Sequence, residues 1–256
     1  MKYCLSSRQH KEYLEKADEI MVNWRDRRVI PDLAEKYPQA TIILRAPVEE
    51  SQEVESWNEI KEYKILCRDK FIFCFRKIEE ATKCKEIGVE FYWGFPVNNY
   101  EDLRALRDLG ACYVRAEGPL FFDLATVKTF GVPVRCVANV ATENYFVPHD
   151  GIPTAWIRPE DVDLYSEYVD AIEFEDCDIN KEQALYRIYA EQKEWPGELK
   201  TIISNLRFEG TNRMIPPEFG ERRLDCKQKC LTSRRCKICY TLMKLADPEK
   251  LAPYAH

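Results

Sequence analysis

The chain has 256 residues, of which 45 % are hydrophobic and 32 % charged, and its formal net charge is −6. This length allows a sizeable core and accommodates one barrel or one to two ordinary domains. There is no run of about eighteen apolar residues, which argues against a membrane-spanning helix, and the first ten residues turn polar too early for a signal peptide. We therefore expect a globular, cytoplasmic protein.

Short β-prone runs alternate with helical patterns along the first 174 residues. The predicted strands are Lys2–Leu5, Glu19–Trp24, Thr41–Arg45, Phe71–Arg76, Glu90–Phe95, Ala111–Arg115, Val132–Asn139, Thr154–Arg158 and Ala171–Phe174. From the fourth onward their starts lie roughly 20 residues apart, which is the length of a βα unit with short loops.

Three predicted helices end at a glycine that precedes the next strand. They are Lys77–Ile87 before Gly88, Tyr100–Leu109 before Gly110 and Phe121–Phe130 before Gly131. Such glycines are C-cap signals, and successive helix-glycine-strand joints predict a parallel sheet with crossover helices. A further helix is predicted over Asn180–Lys193.

The number and regularity of these units predict a TIM-like (β/α)8 barrel, with an open doubly wound sheet as the alternative. Nine strand candidates are one too many for the barrel. We expect Thr154–Arg158 to be the irregular segment, because about a dozen residues separate it from the next run, which is short for a crossover.

Ligand sites of parallel barrels lie at the carboxyl ends of the strands. Arginine recurs at these ends, and a guanidinium matches carboxylate or phosphate oxygens, so an anionic substrate is predicted. The predicted substrate-binding residues are Arg45, Arg76, Asn139 and Glu175, and the predicted catalytic residues are Arg115, Arg158 and Glu117. Glu117 is the candidate for proton transfer. The alternative is that these arginines only pair with local acids.

Four cysteines cluster near the carboxyl end with the spacing C-x3-C-x5-C-x2-C. They are Cys226, Cys230, Cys236 and Cys239. Thiolates are the ligands that zinc and iron-sulfur clusters select, and a reducing compartment disfavours the alternative of disulfides. The compact spacing favours a 4Fe-4S cluster over zinc. The other seven cysteines are scattered and are expected to be free.

The same region is basic. Residues 206–256 hold 11 Lys and Arg against 6 Asp and Glu, a net charge of +5, whereas the first 205 residues carry −11. These cations either neutralise the thiolates or contact phosphates such as those of RNA. We therefore predict a barrel over residues 1–206 and a linker with a basic, metal-binding tail over residues 207–256. No Ser nucleophile elbow, P-loop or dinucleotide motif is present.

Four segments of the sequence together resemble the peptidase U32-like family. They are Gly88–Phe95, Leu109–Pro119, Thr154–Asp161 and Tyr168–Phe174. The resemblance implies a TIM-like barrel, often with a four-Cys iron-sulfur cluster, in proteins linked to hydroxylation of RNA or quinone precursors and to proteolysis. The family's own Cys signature is not reproduced, so the ligand assignment depends on the spacing of the four clustered thiols alone.

The expected function is a metal-centre-containing barrel enzyme acting on an anionic small molecule or RNA. The alternative is a non-enzymatic nucleic-acid- or protein-binding scaffold with a structural zinc site. A barrel with only structural metal and a small phosphorylated or carboxylated substrate is the third interpretation.

Overall fold

Eight parallel strands form one sheet in the computed structural model of the protein. The structure describes residues 1–47, 54, 56–140, 156–204, 210–215 and 217–224. Strands β1 to β8 are Lys2–Ser6, Glu19–Asn23, Thr41–Arg45, Phe71–Phe75, Glu90–Trp93, Val114–Arg115, Val134–Val137 and Ala171–Glu173. Their order in the sheet is β5-β4-β3-β2-β1-β8-β7-β6.

The two edge strands of this sheet meet and nearly close it. Parallel bridges join Tyr92 to Tyr113 and Val97 to Ala116, across β5 and β6. The predicted (β/α)8 barrel is therefore confirmed, and the open sheet is wrong. Residues 156–158 lie outside any strand, as expected for the surplus candidate, while residues 154 and 155 fall outside the described part of the chain.

Ten α-helices are found in the described residues. Helices α1 to α10 are Lys11–Leu14, Ile30–Lys36, Trp57–Leu66, Ile78–Glu86, Tyr100–Leu109, Leu124–Lys128, Val162–Tyr165, Ile179–Tyr186, Leu199–Ile202 and Phe219–Leu224. Shorter 3-10 turns cover Trp24–Val29, Gly118–Phe122, Pro159–Asp161 and Asn212–Met214, and a π-turn, Arg187–Gln192, extends α8.

The glycines after the predicted helices have the left-handed backbone that the prediction requires. Gly88, Gly110 and Gly131 have φ values of 67°, 83° and 73°. This conformation carries no Cβ penalty in glycine, so each helix can end and the chain turn directly into a strand. The predicted helix Phe121–Phe130 is shorter than expected, because Asp123 leaves helical geometry, with φ −137° and ψ 43°.

Side chains on alternate strand positions build two separate cores. On β4, Phe71, Phe73 and Phe75 face the helices, whereas Ile72 and Cys74 face the barrel interior. The interior cluster is small and mixed, and it comprises Cys4, Met21, Ile43, Ile72, Cys74, Tyr92, Tyr113 and Ala171. The larger outer core fixes the helices, and the interior leaves room for polar side chains.

The described residues after 204 pack on the barrel. The Leu199 amide donates to the Gly210 carbonyl at 2.9 Å, and α10 buries Phe219 and Arg223. The seven scattered cysteines are free, as predicted. No helix in the described ranges is long and apolar enough to cross a bilayer.

Candidate active site at the carboxyl mouth of the barrel

Arg115 is the centre of a charged cluster at the carboxyl ends of the strands. Its Nη1 and Nη2 donate to the two carboxylate oxygens of Glu175 at 2.5 and 2.8 Å, and its Nε donates to Glu117 at 2.5 Å. Nη1 also lies 3.3 Å from Glu173 Oε1. One guanidinium therefore orients three carboxylates, and such paired, forked contacts are the strong kind of hydrogen bond.

Local structure explains why Arg115 and Glu117 point into the mouth. Arg115 ends β6, and Glu117 follows one strand period later, so both side chains lie on the inward face. The Arg115 carbonyl accepts from the Val97 amide at 2.8 Å. Gly118 then turns the chain with φ 51°, at a position where a Cβ would lie 3.1 Å from Asn98 Oδ1. A bulkier residue there would disturb the placement of Glu117.

Glu117 has the electrostatic setting of a proton-transfer group. Burial raises the pKa of Glu117 above its usual value, Arg115 opposes the increase, and the nearby Glu175 and Glu173 add to it. The side chain of Glu117 is still 15 % exposed. A carboxyl group with a raised pKa that remains reachable from the mouth is a candidate for proton transfer.

Arg45 at the end of β3 and Arg76 directly after β4 supply positive charge at the mouth. Arg45 Nη2 lies 3.9 Å from Glu175 Oε1. The Arg76 guanidinium lies 5.0 Å from the Phe95 ring, and its buried Nε has no hydrogen-bond partner among the described residues. Burial, together with the charges of Arg45 and Arg115, lowers the pKa of Arg76. Arg76 is therefore a cation whose hydrogen-bonding capacity is incompletely used.

Gly94 lets the chain after β5 pack closely against β4. A Cβ at position 94 would lie 2.8 Å from Cys74 Sγ and 3.0 Å from the Phe75 carbonyl oxygen. The Arg76 stem passes beside Gly94 toward the ring of Phe95, a large apolar side chain that is 40 % exposed. Only a residue without a side chain fits this close approach.

Asn139 is fully buried and holds Glu175 in place. Its Oδ1 accepts from the Glu175 amide at 2.9 Å, and its Nδ2 donates to the Glu175 carbonyl at 2.8 Å. Nδ2 also lies 3.1 Å from Ser204 Oγ. Asn139 thus connects the end of β7 to the segment after β8, and its predicted contact with a substrate stays a prediction.

The structure places Arg158 in the helical layer. Its Nε and Nη2 donate to Asp161 at 2.7 and 2.8 Å, and Nη2 also donates to the Pro217 carbonyl at 2.9 Å. The guanidinium lies 5.5 Å from the Phe219 ring and the residue is 5 % exposed. Of the predicted catalytic residues, Arg115 and Glu117 come together at the mouth, and Arg158 connects α10 to the turn before α7.

A buried ion pair in the barrel interior was not predicted from the sequence. Arg135 on β7 and Glu19 on β2 contact each other directly, and both side chains are 0 % exposed. The Arg135 guanidinium also lies 4.7 Å from the Tyr113 ring and 5.0 Å from the Tyr92 ring. The available signal was a charged residue alternating with the apolar Val134 and Cys136.

The predicted metal ligands, Cys226, Cys230, Cys236 and Cys239, lie outside the described residues. Within the described ranges, no group of three or more His, Cys, Asp or Glu side chains is arranged to hold a metal ion. The 4Fe-4S cluster and its zinc alternative therefore depend on the donor set alone, since four thiols suit either centre.

Comparison with known proteins yields structural neighbours only. No family model matches the chain, and no curated protein matches it. A 4-hydroxy-2-oxoglutarate and 2-dehydro-3-deoxyphosphogluconate aldolase is similar with 12 % identity and a TM-score of 0.43, over 73 % of this chain and 90 % of that one. The N-acetylmannosamine-6-phosphate 2-epimerase from Clostridium perfringens gives 13 % identity and a TM-score of 0.43, over 73 % and 91 %.

A U32 peptidase is also similar, with 11 % identity and a TM-score of 0.40, over 68 % of this chain and 92 % of that one. Identities and scores this low support no inference about activity or family. The barrel assignment stands on the strand order and on the bridges between β5 and β6.

Proposed function

We propose that the protein is a barrel enzyme that binds an anionic substrate at the carboxyl mouth through Arg76 and Arg45 and uses Glu117 for proton transfer. The observation that carries this proposal is that Arg76, whose buried Nε has no hydrogen-bond partner among the described residues, has Arg115 as a charged neighbour. Arg115 in turn bonds Glu117, the carboxyl group with a raised pKa. Structural ion pairs also shift pKa values, but Arg76 forms no ion pair and no hydrogen bond at its buried Nε within the described part of the chain.

The charged residues of the mouth come from both halves of the barrel. Arg45 ends β3 and Arg76 follows β4, whereas Glu117 and Glu175 follow β6 and β8. A carboxylate or phosphate group bound by the arginines would place the rest of the substrate toward the acids. The guanidinium fork suits either anion, so the proposed substrate is a small carboxylate or phosphate, or the phosphate backbone of RNA.

In this arrangement each residue has one task. Arg76 and Arg45 bind and orient the anion. Arg115 holds Glu117 and Glu175 in fixed positions. The two carboxylates therefore need little reorganisation when the substrate binds. Glu117 donates a proton to the substrate or accepts one from it. Asn139 keeps the backbone of Glu175 in place, so that the acidic side of the mouth is rigid.

A metal centre at the four clustered cysteines is a further part of the proposal. The thiols of Cys226, Cys230, Cys236 and Cys239 would hold a 4Fe-4S cluster or zinc. A bound cluster supplies electron transfer, and zinc supplies structural stability. The described chain before the thiols is anchored: the Arg223 guanidinium lies 4.7 Å from the ring of Phe122, in the turn that follows Glu117.

Phosphate binding tests the anion site. Isothermal titration with inorganic phosphate is measured on the wild type, on Arg76→Met and on the matched control Arg104→Met, which alters an exposed arginine of α5. Loss of a charge-assisted contact of about 1.5–3 kcal/mol corresponds to roughly a tenfold or greater loss of affinity in Arg76→Met and no change in the control. Equal affinity in all three proteins would refute the anion site.

Turnover tests the role of Glu117. Wild type and Glu117→Gln are incubated with a small-molecule cell extract, and the anionic compounds are followed by mass spectrometry. The wild type should consume at least one compound that Glu117→Gln leaves unchanged or converts at least 100-fold more slowly, since general acid-base catalysis contributes about 10²–10⁴-fold. Consumption at the same rate by both proteins would remove Glu117 from the mechanism.

The scaffold function remains a second candidate because residues 206–256 carry a net charge of +5. It predicts binding of a single-stranded RNA oligomer that weakens steeply with salt. The same titration with Arg76→Met separates the candidates. RNA affinity that is unaffected by Arg76→Met, together with no turnover of any compound, would favour the scaffold over the enzyme.

A further inference from the structure

Alternating charges run through the barrel interior from the amino ends of the strands to the mouth. We call the members Lys2, Glu19, Arg135, Glu173 and Arg115, together with the phenol of Tyr113, the axial ion network. The Tyr113 hydroxyl accepts from Lys2 Nζ at 3.0 Å and donates to Glu19 Oε1 at 3.0 Å. Arg135 contacts Glu19 directly.

Glu173 joins the buried part of the axial ion network to the mouth. Its Oε2 lies 3.5 Å from Arg135 Nη1, and its Oε1 lies 3.3 Å from Arg115 Nη1. Neither oxygen of this carboxylate, whose residue is 3 % exposed, has a hydrogen bond within the described residues. Burial would raise the pKa of Glu173, but the charges of Arg115, Arg135 and Arg45 lower it below its usual value. The ionised form of Glu173 thus depends on these guanidinium groups.

Charges in a barrel interior need an explanation, because bulky branched side chains usually fill it. Removing a guanidinium and a carboxylate from water costs several kcal/mol per ion, and a well-packed apolar pair often does as well for stability. Arg135 is 0 % exposed and lies between two tyrosine rings. A role in orienting the charged side chains at the mouth would explain why position 135 holds an arginine.

Arg115 Nη1 is shared between two acids. It lies 2.5 Å from Glu175 Oε1 and 3.3 Å from Glu173 Oε1. With Arg135 present, Glu173 has a second cation within 3.5 Å and leaves Arg115 free to bond Glu175 and Glu117. Without it, Arg115 is the nearest cation to a buried carboxylate and would be drawn toward Glu173, away from the mouth.

We propose that Arg135 is a positioning residue that acts through Glu173 to keep Arg115 directed at Glu117 and Glu175. The inference rests on the proposed function for the task of Glu117, but the geometry it invokes is independent of any substrate. It adds a residue at the centre of the barrel to the machinery at the mouth.

Glu117 reports the position of Arg115. The groups that face it are Arg115 from β6, the Cys136 thiol from β7, and Glu173 and Glu175 from the end of β8. Arg115 provides the positive charge within this set, so any movement of its guanidinium toward Glu173 must raise the pKa of Glu117. Titration of Glu117 therefore measures the proposed link without knowledge of the substrate.

The experiment follows the carboxyl carbon of Glu117 by NMR over a pH series, in full-length protein labelled at glutamate and assigned with Glu117→Gln. Arg135→Met should raise the midpoint of Glu117 by about one pH unit, the size of shift that loss of a close opposite charge produces. The exposed control Arg104→Met should leave it unchanged. An unchanged midpoint in folded Arg135→Met would overturn the proposal.

A second pair of variants separates action through Glu173 from the direct field of Arg135. In a Glu173→Gln background, Arg135→Met should produce no further shift if Glu173 is the link. A shift of equal size with and without Glu173 would also overturn the proposal, because it would show a direct field effect. If Arg135→Met does not fold, Arg135→Lys takes its place in both backgrounds with a smaller expected shift.

The failure of this inference is distinguishable from failure of the proposed function. Phosphate titration of the wild type tests the anion site, and the Glu117 midpoint tests the axial ion network. Wild type that binds no phosphate but shows the Arg135-dependent midpoint would retain the inference and remove the proposed anion site.

Discussion

Replacing Arg158 with methionine distinguishes a structural arginine from a catalytic one. The sequence suggested a catalytic role, whereas the structure shows Arg158 bonded at 2.7 and 2.8 Å to Asp161, with 5 % and 8 % side-chain exposure for the two partners. Methionine keeps much of the aliphatic stem and removes the guanidinium. The buried carboxylate of Asp161 would then lose its cation.

The expected loss of stability is large. Breaking a buried ion pair by removing one partner costs about 3–5 kcal/mol, against a total stability of about 5–15 kcal/mol for a typical domain. The bond from Arg158 Nη2 to the Pro217 carbonyl at 2.9 Å is lost as well. Because Gly220 approaches Asp161 so closely that a Cβ there would lie 2.5 Å from Asp161 Cγ, the carboxylate has little space to move toward water.

Urea denaturation followed by circular dichroism gives the free energy of unfolding, and phosphate titration gives the affinity of the mouth. For Arg158→Met we expect the stability loss above and an affinity within about twofold of wild type. The double variant that combines Arg158→Met with Asp161→Asn is the matched protein, expected to cost less because neither an unpaired carboxylate nor an unpaired guanidinium remains. A loss below about 1 kcal/mol together with a tenfold loss of phosphate affinity would refute the structural reading and restore the catalytic one.

Two more predictions concern a buried carboxyl group and the clustered thiols. Glu182 accepts a hydrogen bond from the Ser6 amide at 2.9 Å, and burial raises its pKa. Ionised Glu182 therefore lowers the stability of the folded protein. This loss is absent below the pKa of the unfolded state and complete above the raised pKa of the folded state. Glu182→Gln should gain stability relative to wild type as the pH rises through this range, measured by urea denaturation at several pH values, and an opposite trend would contradict the assignment. Anaerobically purified protein should contain about four iron and four sulfide per chain, or about one zinc, lost when the four thiols are replaced by serine; absence of either metal from wild type would remove the metal proposal.

The order of elements could be read from the sequence because its signals are local. Apolar runs such as Thr41–Arg45 have the length of a buried parallel strand, and that strand occurs with the predicted bounds. The glycine at position 110 ends a helix that was also predicted to the residue, because a left-handed C-cap favours glycine wherever the chain lies in the fold. Helix capping, the hydrophobic period and the spacing of the strands depend on residues close together in the sequence, not on contacts between distant parts of the chain.

The candidate site could be read only in part. That Arg115 and Glu117 would share the inward face follows from the two-residue period of a strand. Arg158, like Arg115, is an arginine at the end of a predicted strand. It lies outside any strand in the structure, so the two-residue strand period does not determine where its side chain points. Asn139 points inward as expected, but the segment after β8 passes close enough for Glu175 to form hydrogen bonds with both the nitrogen and the oxygen of its side-chain amide.

The sequence by itself determined that strands and helices alternate, that the sheet is parallel and that polar side chains follow the strands. Only the tertiary structure decided which of those side chains meet, because closing the barrel brings together β2, β7 and β8, which lie far apart along the chain. The pair of Arg135 and Glu19 joins residues 116 positions apart. No local sequence pattern predicts such a contact. Its free energy depends on burying both charges together, which happens only once the barrel has closed.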